Sequence, residues 1–163
     1  MLRWLRRLLT VSVTVILIGV WAVTFRPTSL GGPATYITVS GQSMLPTLRS
    51  GDLVVLRERS TYRPGDIVAF RIPAGEPGSG NRVIHRIVGG SGAEGYVTRG
   101  DNRTSDDLWR PTDADVLGKL WLRAPGAGAL LPRLRAPLIV ASAAAALAVW
   151  LVFDWWKKPK AEE

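Results

Sequence analysis

Three residue types that together run nucleophilic hydrolysis stand in distinctive local settings in this chain. Ser43 lies in "TVSGQSMLPTLRSGDLVVL", residues 38–56, between a glycine and a proline-closed turn and ahead of an apolar stretch. A turn of that kind holds a serine rigidly with its hydroxyl pointing outward. His85, in "NRVIHRIVGG", is the single histidine of the protein, and the acid-rich segment "TRGDNRTSDDLW", residues 98–109, carries Asp101, Asp106 and Asp107. Hydroxyl nucleophile, imidazole base and carboxylate orienter are the roles such a set fills. Each residue also has a plainer reading: an ordinary loop serine, a packed strand histidine, and, for Asp106 and Asp101, turn-capping acids. One histidine and no cysteine leave neither a convincing zinc set nor a disulfide framework, and no metal or organic cofactor is called for.

The wording around these residues narrows the choice. "SGQSMLPTLRSGDLVVL", "PGDIVAF", "VIHRIVG" and "GDNRTSDD", in this order, resemble the sequence boxes of the type I signal peptidases over residues 38–120. Many members of that family use a serine and a lysine, with the lysine in the box written here "VIHRIV". His85 stands at that place, and the one lysine between residues 26 and 135 is Lys119, expected as a strand residue with its charge in solvent. The resemblance is therefore to the histidine-containing branch, found in the endoplasmic-reticulum signal peptidase complex, archaea and some Gram-positive bacteria. It implies Ser43 as nucleophile, His85 as base and Asp107 as third member. Asp101 is a neighbour of the same kind, and the roles of the two acids stay exchangeable at this level. Imidazole suits the task, because a lysine base must be shifted by several pKa units through burial whereas an imidazole starts near 6.5. The Ser43 N–H is the natural first oxyanion donor. The second is Ser40, a main-chain N–H, or absent, since the position two before the nucleophile is Gly41.

The elements that must position these residues are short. "YITVS", "DLVVLRE", "DIVAFRI", "RVIHRIV", "GYVTRG" and "DVLGKLWL" are rich in β-branched residues and bounded by Gly, Pro, Asp or Asn, so they read as strands of an all-β antiparallel domain. No helical period of useful length falls between residues 36 and 123. "SGDLVVL" and "PGDIVAF" repeat one turn-into-strand device. "IPAGEPGSGN", residues 72–81, reads as a flexible loop without chemistry, and "GGSGAEG" as a hairpin connection rather than a phosphate loop.

At the flanks, residues 8–25 and 136–153 contain no charged residue, and at about 1.5 Å per residue each just spans a hydrocarbon core. Arg3, Arg6 and Arg7 precede the first run, and "WWKKPK" follows the second. The expected organisation is a cytoplasmic tail at 1–7, a transmembrane helix at 8–25, an exported catalytic β domain at 26–135, a transmembrane helix at 136–153 and a cytoplasmic tail at 154–163. A removable signal peptide is the competing reading of the first run. The net charge of +8 does not call for nucleic acid, because six of the 21 basic residues lie in the two tails and the rest are scattered. Lipid head groups account for it equally well.

The expected activity is that of a membrane-bound serine endopeptidase that removes signal peptides from exported precursors. The resemblance implies small residues at substrate positions −1 and −3 and extended binding by strand addition. Expected partners are precursor proteins, membrane lipid and secretion machinery, with no nucleic acid. The competing functions are a processing peptidase with few substrates and a catalytically silent, membrane-anchored peptide-binding β domain.

Overall fold

The computed structural model describes residues 2–130, 132 and 150. After a helix, α1 (Leu2–Thr24), come six strands: β1 (Ala34–Thr38), β2 (Leu53–Arg57), β3 (Ile67–Arg71), β4 (Arg82–Ser91), β5 (Gly95–Arg99) and β6 (Val116–Ala124). All six sequence segments expected as strands are strands. They form one sheet in the order β1-β2-β6-β3-β4-β5, with every strand pairing antiparallel. No α-helix interrupts the chain between β1 and β6.

The sheet curls, and alternation along β3 records it. Ile67 and Ala69 belong to one apolar cluster with Val39, Met44, Leu48, Val54 and Leu56. Val68 and Phe70, pointing the other way, belong to a second with Tyr62, Ile87, Tyr96 and Val116. A strand buried on both faces reads as a continuous apolar run, as "IVAF" does. Register shifts at Val55/Leu56, Ala69/Phe70 and Ile87/Gly89 insert extra residues, which bends the strands and increases twist.

Two strand edges stay open on the side of the chemistry. Among the described residues β1 has β2 as its only strand neighbour, with one isolated bridge from Ala34 to Pro27. β4 pairs with β5 only from Arg86 to Ser91, so Arg82–His85 have a strand partner on one side alone, β3, among the described residues.

The first flanking segment differs from expectation. Among the described residues no helix is long and apolar enough to cross a membrane. α1 starts within the basic tail at Arg3, Arg6 and Arg7, and Thr10, Ser12, Thr14 and Gly19 interrupt its apolar residues. Val15, Ile16, Val20 and Trp21 on it are exposed. The second uncharged run, 136–153, lies outside the described residues. The two transmembrane helices of the sequence reading are thus unsupported, whereas the antiparallel β domain between them is present.

The segment 72–81 is also more ordered than a flexible loop. Ile72 and Asn81 close it through Ile72 N–H to Asn81 O at 2.9 Å, and Gly80 N–H reaches Ile72 O at 3.0 Å. Its Pro77 carbonyl accepts the Trp109 indole N–H at 3.0 Å, and Trp109 lines the cleft described next. The segment therefore supports the site instead of being irrelevant to it.

Candidate active site

Ser43 sits in the turn between β1 and β2. Gly41, at φ 86°, takes a left-handed conformation that a side chain would resist, and Leu45 N–H closes back on Gln42 O at 3.2 Å. The next residues plug inward. Met44 and Leu48 are fully buried in the first cluster, and Leu48 N–H bonds Met44 O at 2.8 Å. With Met44 anchored in the core, the Ser43 side chain is left facing the cleft.

His85 lies in the half of β4 that lacks a second strand neighbour, directly across from Val68 on β3. It is 7% exposed. Its Nδ1 lies 2.6 Å from Asp107 Oδ2, and its Nε2 lies 2.9 Å from Ser43 Oγ. An ionised carboxylate only accepts, so Nδ1 carries the proton and donates to Asp107. Nε2 then presents its lone pair to the Ser43 hydroxyl, which donates.

Asp107 is fixed from β5. Its N–H bonds Thr98 O at 2.8 Å, and the buried Thr98 hydroxyl donates to Asp107 Oδ2 at 2.7 Å. Oδ2 thus accepts from both His85 and Thr98, which sets its position relative to the imidazole.

Asp101 has different work. Arg86 binds it in a two-pronged ion pair, Nε to Oδ1 at 2.8 Å and Nη2 to Oδ2 at 2.7 Å, and the Thr47 hydroxyl donates to Oδ2 at 2.5 Å. The Arg86 hydrogen bonds hold the Asp101 carboxyl below the usual carboxylate range, against the opposing effect of burial. Asp101 therefore ties the Ser43 turn, through Thr47, to β4 beside His85, and does not itself contact the imidazole ring nitrogens. Asn102 adds to that tie: its N–H bonds Ser43 O at 2.8 Å and its side-chain amide bonds Gln42 O at 3.3 Å. Asp106 makes an exposed ion pair with Arg99 at 3.5 Å instead of the expected turn cap. Lys119 pairs with Asp66 rather than holding its charge free in solvent, with Nζ 2.5 Å from Oδ1, and it does not line the cleft.

Gly100 is the point where the parts meet. A Cβ there would lie 2.6 Å from Ser43 O, 3.1 Å from His85 Nε2 and 3.1 Å from Arg103 Cγ. Only a residue without a side chain lets the strand-β5 exit approach the Ser43 turn this closely.

The serine and imidazole open into a cleft of about 260 Å³ between the two open strand edges, walled by Ile37–Ser40 on one side and Arg82–Ile84 on the other. Ser40, a candidate second oxyanion donor, is on its wall.

Residues 19–92 match the Peptidase S24-like family. The S24-like segment contains both Ser43 and His85 and ends at the tip of the β4–β5 hairpin, leaving Asp101 and Asp107 beyond it. A serine-peptidase type of function goes with an S24-like domain, and the curled antiparallel sheet agrees with that fold. No curated protein sequence matches the chain.

Sequence reasoning singled out Ser43, His85, Asp107 and Asp101 but missed Thr47, Arg86, Thr98, Gly100 and Asn102. Arg86 adjoins the histidine and Gly100 and Asn102 flank Asp101, yet adjacency in sequence does not reveal which carboxylate each donor reaches.

Proposed function

We propose that the chain is a membrane-anchored signal peptidase of the Ser/His/Asp kind, a serine endopeptidase that removes signal peptides from exported precursors. The observation that carries the reading is the Ser43–His85–Asp107 line, whose serine and imidazole open into a cleft bounded by two strand edges. Such edges accept an extended peptide by main-chain hydrogen bonds, and the apolar side chains of Ile37 on one wall and Val83 and Ile84 on the other suit small apolar side chains near the scissile bond.

The chemistry follows from the hydrogen bonds. Ser43 Oγ attacks the scissile carbonyl carbon while its proton passes to His85 Nε2, and the Ser43 N–H is the first donor to the developing oxyanion, with Ser40 on the cleft wall as the candidate second. The tetrahedral intermediate collapses with cleavage of the C–N bond, and the Nε2 proton goes to the departing amine. Water, activated by the same nitrogen, then releases the acyl group from Ser43. Asp107 keeps the proton on Nδ1 and stabilises the imidazolium in between.

Membrane anchorage, with both termini cytoplasmic and residues 26–135 exported, rests on the uncharged runs and their basic flanks. A precursor whose signal segment lies in the bilayer would then present its cleavage site near the domain.

The test is cleavage of a full-length precursor by the detergent-solubilised chain, combined with serine-directed covalent labelling. Ser43→Ala is expected to abolish both. Labelling without cleavage of any signal sequence would favour a processing peptidase of few substrates. Absence of both in the folded wild-type protein would favour a silent peptide-binding domain.

A further inference from the structure

A second cleft, of about 250 Å³, adjoins the first and is lined by His85, Arg103, Ser105, Asp106, Asp107, Leu108 and Trp109. It shares His85, Arg103 and Trp109 with the first cleft but lacks Ser43. In acyl transfer by a serine and a histidine the imidazole hands its proton to the departing amine, so the leaving group lies on the histidine side of the nucleophile. The cleft that holds Ser43 suits the acyl side of a substrate, and the second cleft, on the His85–Asp107 side, suits the leaving side.

The charges of the second cleft are unequal in their commitments. Asp107 is engaged by His85 and Thr98, and Asp106 by Arg99. Arg103 is exposed, and among the described residues its guanidinium makes no hydrogen bond or ion pair. Its Cγ is held beside the catalytic pair through the close approach at Gly100. An exposed, unpaired guanidinium that lines both clefts is a ready partner for a carboxylate, which it can bind in two-pronged fashion. Extended peptide advances roughly 3.3 Å per residue, so such a side chain covers the first two residues after the scissile bond.

Building on the peptidase reading, we infer that Arg103 selects substrates carrying an acidic side chain at the first or second position after the cleaved bond, and disfavours a basic one there. The same residue gives the enzyme an electrostatic preference on the side of the mature protein, independent of the small residues before the cut.

The experiment uses the full-length chain in detergent micelles and a set of peptides identical except for Glu, Gln or Lys at the first or second position after the bond. Wild-type kcat/KM is expected to favour Glu over Gln by about 5-fold at low salt, the scale of a partly exposed charged pair, and the ratio should shrink as salt is added. Arg103→Ala should bring the Glu/Gln ratio to about one. Arg103→Glu should turn the preference towards Lys, a reversal that a purely structural role of Arg103 would not produce. If the arginine variants fold poorly, the wild-type ratio and its salt dependence still decide. Equal cleavage of the Glu and Gln peptides by wild type overturns the acidic preference while leaving the peptidase reading intact. Failure of wild type both to cleave any peptide and to label at Ser43 removes the peptidase reading and this inference with it.

Discussion

Two aspartates six residues apart in sequence do different jobs because of what each accepts. Asp107 Oδ2 takes the His85 and Thr98 protons, so Asp107→Asn removes the acceptor that keeps the proton on Nδ1. By comparison with the equivalent change in a chymotrypsin-type triad, kcat should fall by about 10⁴ with little change in melting temperature. Unchanged turnover in a folded Asp107→Asn protein would remove Asp107 from the mechanism. Asp101 is a fastener: Asp101→Asn should cost about 1–3 kcal/mol of stability through loss of the charged Arg86 bonds, read as a lower melting temperature at neutral pH. Its carboxyl is held below the ordinary value, so it contributes stability fully above the unfolded carboxylate range and loses it as pH falls through the lowered folded value. Wild-type melting temperature should therefore drop as pH falls below about 4, and the drop should be smaller in Asp101→Asn. Identical acid profiles for the two proteins would count against this linkage.

At the scale of elements, the site depends on two turns being pressed together. The Ser43 turn is held from below by buried Met44 and Leu48 and from the side by Asn102 and Asp101. The exit of β5 lies so close to it that Gly100→Ala must push Ser43 O or the His85 ring aside. We expect this one methyl to lower kcat/KM by about 100-fold, the cost of misplacing a reacting group, and to destabilise the fold by about 1–3 kcal/mol. Thermal melts alongside cleavage assays check both, and a wild-type-like Gly100→Ala enzyme would mean that the turns separate without cost. The opening strands of this arrangement are set by a recurring device. The backbone N–H groups of Arg49, Arg63 and Thr112 each bond the carboxylate three residues on, in Asp52, Asp66 and Asp115, just ahead of β2, β3 and β6. Asp52 is the most enclosed of the three, and the Arg49 N–H is the leading reason its carboxyl sits below the usual range.

At the scale of the whole molecule, the proposed two-span topology sets where the β domain lies relative to a membrane. The basic residues before the first uncharged run and after the second lead to one expectation: reporters fused after Arg63 and after Lys160 fall on opposite sides. Reporters on the same side would overturn the two-span topology while leaving the cleft chemistry untouched. Among the described residues, α1 leaves Val15, Ile16, Val20 and Trp21 exposed, and contact of such side chains with water is unfavourable.

The strands were legible in the sequence because β-branched runs and Gly-Asp turns are local signals, and a strand buried on both faces announces itself as "IVAF". The candidate nucleophile and imidazole were legible too, since a rigid turn and a single histidine are properties of short segments. The choice between Asp107 and Asp101 was not, because it depends on which carboxylate the register of β4 against β5 brings to His85 Nδ1. Arg86 and Thr47 come to Asp101 only when the Ser43 turn folds over the sheet. The order β1-β2-β6-β3-β4-β5 was likewise beyond reach: inserting β6 between β2 and β3 is a long-range pairing, decided by which apolar faces close two clusters at once. That same curl places the open edges of β1 and β4 across one cleft. Local sequence thus determined which residues were fit for the chemistry, and the tertiary packing decided which of them meet.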